Sequence, residues 1–551
     1  MRVTRGGLGR CVLALASHPF VHVAMIAVLV FTKLTPLGAH LDLPNNDQIG
    51  YLEAGTVVVE QWRFQAKTPL YAGYMGLLAG LSGAGPEGLF VLEKRVTTAL
   101  FCGSLYLALS SVVPSLVAFL VSVHFLNLRY ILEETNGNNL FGVCLYLLAI
   151  ASVGLKGRRG APLALALLTL SALARLEMWL VVVFAGPVLL GWYARRRGEI
   201  WRLKEPFAWF PVLGVTVLAC GLWLRSTGPW YPLRDVFRLA IMANMVDHVA
   251  GFSHYLAWND ALIVKPELFH PEVGILDILV RYPGIVARHV AINLVLLPRS
   301  VAAIMIKYGS LSHFLVFWAL AAVMLVLTQL IGRNSGSLQP TEARSAGPGR
   351  MILFLAGLGV LPVLFMLLFL STAIRYLFVL VPLQALLIAK VVCGVEAILL
   401  SRLDRGEAKN KLGFRGAGWP MTVVVWLFFA IYVVLPFGPL TGLPSAGQPH
   451  RAIVANASPH IRAGSLLASD AAEVVCLFGP RCRPISLNSQ TMWDPLAWER
   501  LGAENVIWSF RVLGKLRSPE DKAQVTALAI EQGWRVVVDG AWGMLLTRSG
   551  A

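Results

Sequence analysis

Charged residues are scarce in this chain. They make up 14% of its 551 residues, whereas a soluble protein typically carries about 25%. Hydrophobic residues account for 57%, and apolar runs long enough to cross a bilayer, roughly 17–25 residues each, recur along most of the sequence. The scarcity of charge excludes a soluble globular protein and predicts an integral membrane protein with several spans.

Acidic residues are the rarer kind of charge, 30 against 47 Lys and Arg, which leaves a net charge of +17. Most of the excess lies in five short segments between apolar runs, which together hold 19 basic and 5 acidic residues: 2–10, 156–160, 194–206, 333–350 and 401–416. Basic residues gather in this way in the cytoplasmic loops of membrane proteins. The pattern therefore favours a membrane topology and no nucleic-acid partner.

Cysteines are few, seven in all, and no spacing among them is typical of a zinc site. Five lie in or beside apolar segments, where a thiol behaves as a small hydrophobe. Cys476 and Cys482 lie instead in the polar tail. A disulfide between them and two free thiols are both compatible with the sequence.

The apolar runs predict an α-helical polytopic membrane protein with about 11 transmembrane helices. The basic amino terminus leads into a run that continues to about Leu37 without a small-x-small cleavage pattern, so it reads as a retained first span. An odd number of spans with all basic segments inside places the amino terminus in the cytoplasm and the carboxyl terminus outside, in a plasma or inner membrane. The predicted spans lie near 20–37, 95–111, 113–128, 139–155, 161–176, 178–193, 208–224, 311–332, 351–371, 376–400 and 420–438.

The predicted domains are a transmembrane domain over 1–439 with outer loops 38–94 and 225–310, and a small extracytoplasmic α/β domain over 440–551. In the first loop, PLYAGYMGLLAGL is too short to span and indicates an interfacial or re-entrant helix. In the second, residues 275–297 form either an amphipathic helix or a further span, which would change the topology.

The tail predicts a small α/β module. ENVIWSF is typical of a strand, and SPEDKAQVTALAIEQG of a helix with Ser518 as its cap. WRVVVDGAWGMLLTR predicts a hairpin that turns at Asp539-Gly540. Because no catalytic motif stands out there, we expect the module to support the fold or to recognise an acceptor.

The predicted topology places six ionisable residues at one membrane face: Asp47, Lys67, Glu133, Glu134, Arg175 and Arg375. Carboxylates together with cations at a lipid–water boundary suit an enzyme that handles a lipid phosphate. Each residue also has a simpler interpretation. Asp47 either removes a proton from an acceptor hydroxyl or caps a helix, and Lys67 either faces a phosphate or snorkels to the interface.

The two arginines leave the same choice open. Arg suits phosphate because its planar fork donates two parallel hydrogen bonds, but Arg175 and Arg375 also fit as interfacial anchors. Arg175 can simply pair with Glu177. The cluster of Glu133, Glu134 and Asn136 either binds a divalent cation or a sugar hydroxyl, or forms a polar turn.

With these residues in view, the chain resembles the GT-C superfamily of membrane glycosyltransferases, in the branch of protein O-mannosyltransferases and lipid A aminoarabinose transferases. Asp47-Gln48-x-x-Tyr51 resembles the family's Asp-Glu-x-x-Tyr motif, with Gln48 in place of the acid. Ala66-Lys67-Thr68-Pro69-Leu70 resembles Glu-Lys-Pro-Pro-Leu. Arg175 matches a Thr-Arg-Pro-Glu-like position, and Arg375-Tyr376 with Pro382 resembles the family's Arg-Tyr-x-x-x-x-x-Pro span.

The resemblance implies a sugar donor on a polyprenyl phosphate, attacked with inversion at the anomeric carbon. Asp47 would take the acceptor proton, and Lys67 and Arg375 would hold the leaving phosphate. Tyr51, Glu133, Glu134, Arg175 and Tyr376 would complete the substrate site. A divalent cation stays open as a cofactor, with Asp47, Glu133 and Glu134 as candidate ligands. The acceptor is a glycan, a lipid or a protein.

Two other functions compete with a transferase. A lipid or polysaccharide transporter or flippase would need polar groups along a path through the bilayer, often with internal repeats, whereas here the polar groups gather at one face. A lipid-binding or assembly protein without chemistry would tolerate the loss of Asp47.

Overall fold

The computed structural model of the chain is mostly helical, with a small sheet near the carboxyl terminus. It describes residues 18–37, 42–43, 49–53, 55, 69–128, 131, 137–194, 214–215, 237, 240–241, 275–306, 311–334, 346–369, 377–405, 419–434, 449–487, 491–513 and 519–549. We refer to residues 18–434 as the helical region and to residues 449–549 as the C-terminal module.

Seven long helices are formed by the described residues in the first half of the helical region. The 3₁₀ turn Gly157–Gly160 separates the fifth from the sixth, and the 3₁₀ turn Leu176–Met178 separates the sixth from the seventh. They are α1 (Pro19–Lys33), α2 (Pro69–Ser82), α3 (Pro86–Ser110), α4 (Ser115–Leu126), α5 (Gly137–Lys156), α6 (Ala161–Ala174) and α7 (Trp179–Ala194). Residues 49–53 are also helical.

The described residues of the second half form seven more helices. A 3₁₀ turn, Phe378–Leu380, lies just before the sixth of these helices. They are α8 (Ile275–Arg281), α9 (Pro283–Ile306), α10 (Leu311–Asn334), α11 (Ala346–Leu358), α12 (Val360–Phe369), α13 (Val381–Arg405) and α14 (Trp419–Val434).

Four helical stretches among the described residues are long and apolar enough to cross a membrane: Gly137–Ala174, Pro283–Met305, Pro348–Leu368 and Phe378–Val395. A fifth arises if α2 and α3, bent by 113° at their junction, count as one broken span. The chain is thus a polytopic helical membrane protein. Every predicted span coincides with a helix except the one near 208–224, which lies almost wholly outside the described residues.

Two open points of the sequence concern α2 and α9. Helix α2 follows its predicted bounds, and its sharp bend against α3 is the geometry of a broken span or a re-entrant helix. Helix α9 covers most of the segment that the sequence left undecided, and it is long and apolar enough to be a candidate for a further span. One more span alters the odd count on which the predicted orientation rests, so the orientation of the termini stays a prediction.

Polar side chains join helices that are distant in sequence. The His22 ring bonds the Tyr106 hydroxyl at 2.6 Å, tying α1 to α3. Arg95 donates to the carbonyl oxygens of Leu34 and Thr35, at 3.0 and 2.6 Å, which satisfies acceptors left open at the end of α1. Inside a membrane such bonds help to fix helix pairs, because lipid tails offer polar groups no alternative partner.

The C-terminal module is an α/β unit with a five-stranded sheet in the order β2-β1-β3-β5-β4. Its strands are β1 (Leu466–Ser469), β2 (Arg483–Ser486), β3 (Asn505–Ser509), β4 (Trp534–Gly540) and β5 (Gly543–Arg548). The first three are mutually parallel and the last two form an antiparallel hairpin against β3. The helices are α15 (Pro449–Ala457), α16 (Ala472–Phe478), α17 (Pro495–Arg500), α18 (Phe510–Leu513) and α19 (Pro519–Glu531).

The predicted strand, helix and hairpin of the tail are confirmed as β3, α19 and β4–β5. The predicted turn at Asp539-Gly540 is wrong. Both residues belong to β4, and the turn is 541–542, between the paired Gly540 and Gly543. Gly543 has φ +148, and a Cβ there would lie 2.4 Å from the Trp508 carbonyl oxygen, so the close approach of β3 places the turn. Ser518 lies outside the described residues.

The two tail cysteines form a disulfide, Cys476–Cys482, which joins α16 to the residue before β2. The sequence was compatible with a disulfide or with two free thiols, and the structure contains the disulfide. Cys102 and Cys144 are free and buried among apolar side chains of the helical region, as predicted.

The C-terminal module packs on the helical region through a small apolar contact flanked by polar ones. Leu43, Ile49 and Val474 are buried together there, and each fully buried aliphatic side chain is worth about 1.5–3 kcal/mol. The Arg451–Glu87 ion pair beside them is half exposed on the Glu87 side, where such pairs contribute only about 0–1 kcal/mol. Apolar burial therefore supplies most of the packing energy, and the polar contacts fix the orientation.

Candidate active site

Two of the predicted site residues, Tyr51 and Arg175, are described by the structure. Asp47, Lys67, Glu133, Glu134, Arg375 and Tyr376 lie outside the described residues. The candidate site is therefore built from Tyr51, Arg175 and the described residues that belong to the same motifs or follow them directly.

Arg175 lies where the chain breaks between α6 and the 3₁₀ turn that leads into α7. Its backbone is extended, at φ −148 and ψ 113, so helix α6 ends at this residue. The guanidinium pairs with the carboxylate of Glu177, and both side chains are almost buried, at 11% and 12% exposure. The pairing that the sequence allowed for these two residues is confirmed.

Gly142 on α5 makes room for this arginine. A Cβ at that position would lie 2.8 Å from the Cγ atom of Arg175, so a larger residue would displace the side chain. The Gly142 carbonyl oxygen also accepts a hydrogen bond of 2.7 Å from the Ser171 hydroxyl on α6. The close approach of α5 and α6 thereby holds Arg175 in place.

A small, partly open cavity lies beside the Arg175–Glu177 pair. Its lining comes from α5, from the break before α7 and from the 3₁₀ turn before α13: Asn139, Gly142, Val143, Arg175, Glu177, Met178, Phe378 and Val379. Phe378 and Val379 belong to the Arg375–Pro382 motif. The cavity thus joins the described parts of two motifs that lie about 200 residues apart in the sequence.

Tyr51 lies in a polar cluster that adjoins the cavity. Its hydroxyl accepts a hydrogen bond of 3.0 Å from the side-chain amide of Asn138, the neighbour of the cavity residue Asn139. Its ring packs edge-on against Tyr71, with ring centroids 5.2 Å apart. The buried Oδ1 atom of Asn138 has no hydrogen-bond partner within the described parts of the chain, and a buried acceptor of this kind usually has one.

Glu93 on α3 lies at the centre of the same cluster, and the sequence analysis missed it. Its carboxylate accepts hydrogen bonds from the hydroxyls of Tyr71 and Thr97, and Tyr74 bonds Thr97 at 2.9 Å. A Cβ at Gly137 would lie 2.1 Å from the Glu93 Oε1 atom, so α5 approaches this carboxylate closely. The available signal was the helical spacing: Tyr71 and Tyr74 are i, i+3, and Glu93 and Thr97 are i, i+4.

Two carboxylates of the loop 38–94 lie at the contact between the C-terminal module and the helical region. Burial raises the pKa of Glu53, and the nearby Glu473 of α16 raises it further. Burial also acts to raise the pKa of Asp42, but hydrogen bonds from the side chain and backbone of His450 and from the Arg451 backbone lower it more. Asp42 is therefore stabilised as an anion here, whereas Glu53 is not.

No metal site is formed by the described residues, among which no group of three His, Cys, Asp or Glu side chains lies close enough to hold an ion. The candidate ligands Asp47, Glu133 and Glu134 lie outside them. A divalent cation therefore stays an open expectation.

No protein-family model matches the chain, and no curated protein matches it. Among solved structures it is similar to the crystal structure of ArnT from Cupriavidus metallidurans in the apo state. The alignment covers 98% of both chains at 13% sequence identity, with a TM-score of 0.48. A likeness of this degree carries no conclusion about activity.

Proposed function

We propose that this protein is a membrane glycosyltransferase that moves a sugar from a polyprenyl-phosphate donor to an acceptor hydroxyl, with inversion at the anomeric carbon. The observation that supports this proposal most strongly is the arrangement of motif residues and their neighbours around the cavity. Tyr51, Arg175 and Phe378 belong to three of the motifs, Tyr71 directly follows a fourth, and Asn138 lies two residues after Asn136 of the acidic cluster. These described neighbours converge on one polar cluster and its adjoining cavity.

The covalent chain keeps the remaining motif residues within a limited reach of this cluster. Asp47 precedes Tyr51, and Lys67 precedes Tyr71, by four residues, while Arg375 precedes Phe378 by three. Four residues of extended chain span at most about 14 Å. This supports a single site for the base, the cations, the polar cluster and the cavity.

In the proposed reaction, Asp47 removes the proton from the acceptor hydroxyl. The hydroxyl oxygen attacks the anomeric carbon from the face opposite the phosphate, and the bond between that carbon and the phosphate oxygen breaks. The electron pair leaves with the polyprenyl phosphate. Lys67 and Arg375 offset the charge that develops on this leaving group.

Arg175 has a different role in this proposal. Because Glu177 already neutralises most of its charge, Arg175 is poorly suited to attract a free anion from solution. The pair still presents polar atoms in a fixed position at the lining of the cavity. We assign the Arg175–Glu177 pair to orienting the sugar or its phosphate, alongside Asn139.

The test is sugar transfer by the purified protein in detergent or vesicles, with polyprenyl-phosphate sugars as donors. Asp47→Asn keeps the shape of the side chain and removes the proton acceptor, so turnover should fall by about 10²–10⁴, while donor binding changes little. Asp539→Asn is the matched control, since Asp539 pairs with Lys522 on the exposed surface of the C-terminal module.

Equal turnover of the two variants would remove Asp47 from the mechanism. Failure of the wild-type protein to transfer sugar from any polyprenyl-phosphate donor, together with movement of the lipid itself across vesicles, would favour the flippase.

A further inference from the structure

Asp42 caps a helix that lies more than 400 residues further along the chain. Its two carboxylate oxygens accept hydrogen bonds of 3.0 Å from the backbone N–H groups of His450 and Arg451. These are the second and third residues of α15, whose first residue is Pro449. The first N–H groups of a helix have no partner inside it, and a capping side chain normally satisfies them from the residue just before the helix.

The cap is reinforced by the side chains around it. The His450 ring donates to Asp42 Oδ2 at 2.6 Å, and Arg451 pairs with Glu87 at the start of α3. The His450 ring is thus an ionisable group that acts directly on the Asp42 carboxylate. Asp42 therefore joins the first helix of the module to the helical region by three hydrogen bonds on one carboxylate.

The capped end lies beside the candidate site. Leu43, the next residue, is buried with Ile49 and with Val474 of α16. Ile49 opens the helical segment 49–53, which carries Tyr51, and Tyr51 bonds Asn138 beside the cavity. The contact of Leu43 and Ile49 with Val474 thus joins the module to the segment that carries Tyr51. In the sequence, Asp47 lies between Leu43 and Ile49.

We propose that Asp42 is a positioning residue, which caps α15 from outside the C-terminal module and thereby holds the module and the Tyr51 segment in one arrangement at the site. Its effect on turnover rests on the proposed function, whereas its capping of α15 does not.

The test uses the full-length protein with Asp42→Ala, Asp42→Asn and a matched control, Asp494→Ala. Asp494 also caps a helix, since it accepts a hydrogen bond from the Leu496 N–H at the start of α17, but it does so within the module. Amide hydrogen exchange and sugar transfer are measured for each variant.

In Asp42→Ala, exchange at His450 and Arg451 should rise about fivefold or more, the effect of losing one N-cap. Turnover should fall by about tenfold to a hundredfold, because a misplacement of ~1 Å can cost 10²-fold. Asp42→Asn should recover much of both, because Asn caps helices well. Asp494→Ala should raise exchange at Leu496 only and leave turnover near the wild-type value.

Unchanged exchange at His450 and Arg451 in Asp42→Ala would overturn the cap. Raised exchange with normal turnover, or equal losses of turnover in Asp42→Ala and Asp494→Ala, would overturn the positioning role and leave the transferase proposal intact. If the wild type transfers no sugar, the proposed function fails, and the exchange data still decide the cap.

Discussion

At the scale of single residues, Arg175 illustrates how the surroundings of a charge decide its use. An almost buried arginine near the membrane is costly unless it is paired, and Glu177 supplies the partner two residues on. Gly142 supplies the space on the facing helix. Glu177 therefore balances the charge of Arg175, and Gly142 determines the position of its side chain. Separate substitutions at these two residues can test the two effects.

The first prediction concerns that space. Gly142→Ala should push the Arg175 side chain aside, because the new Cβ would lie 2.8 Å from Arg175 Cγ. Turnover should fall by roughly tenfold, which corresponds to a loss of ~1.4 kcal/mol of transition-state stabilisation. Helix α5 itself should stay intact. Gly191→Ala on α7 is the control, since a Cβ there meets nothing within 4 Å. Equal activity of both variants would show that the position of Arg175 does not matter to the reaction.

The second prediction concerns the cations of the proposed phosphate site. Arg375→Lys keeps the charge but loses the two-pronged donor, so it should impair turnover partly, and Arg375→Ala should impair it more. Lys67→Ala should weaken binding of polyprenyl phosphate as well as turnover. Binding and turnover are measured side by side for the three variants. Normal lipid-phosphate binding in both alanine variants would contradict the clamp.

At the scale of elements, helix α15 depends on an acceptor that its own segment does not provide. Asp42 fills that role with both oxygens of its carboxylate anion, and its pKa is lowered in the folded protein. A lowered pKa means that the folded state favours the ionised form, so the stability it contributes is present above the ordinary pKa and is lost as the pH falls. The attachment of the C-terminal module should therefore be acid-sensitive.

The third prediction follows from that sign. Asp42→Asn removes the titration while keeping one oxygen as a cap. The difference in unfolding midpoint between wild type and variant should be constant above about pH 5 and should shrink as the pH falls below the ordinary value of 3.8. Intrinsic tryptophan fluorescence during heating measures it. A difference that grows towards acid pH would contradict the lowered pKa.

At the scale of the whole molecule, the orientation in the membrane decides which compartment the site faces. The basic segments predict that the loop at Arg158 is cytoplasmic and the C-terminal module is not. The structure leaves the orientation open, because α9 adds a candidate span to the predicted set.

The fourth prediction tests the orientation directly. Single cysteines replace two exposed residues, Arg158 in the 3₁₀ turn between α5 and α6 and Gln532 after α19. A membrane-impermeant maleimide added to intact cells should label Gln532→Cys and spare Arg158→Cys until the membrane is opened. The wild type, whose described free cysteines are buried or partly buried, is the control. The opposite labelling pattern would place the module, and the proposed site with it, in the cytoplasm.

The sequence by itself determined the features that depend on neighbours along the chain. Apolar length predicted the helices, alternation and turn residues predicted the strand and hairpin of the tail, and residue type predicted where a phosphate or a proton could be handled. The Arg175–Glu177 pair was also within reach of the sequence, because two residues separate its partners.

The tertiary structure decided what depends on contacts between distant positions. It brought Glu93 to Tyr71, Phe378 to Arg175 and Asp42 to α15, and it shifted the hairpin turn because Gly543 must pass the Trp508 carbonyl oxygen. Periodicity indicates which face of a helix is buried, but the partner of that face is selected by the packing of all helices together. The motif residues could thus be predicted one by one, whereas the polar cluster of Tyr51, Tyr71, Glu93 and Asn138 could not.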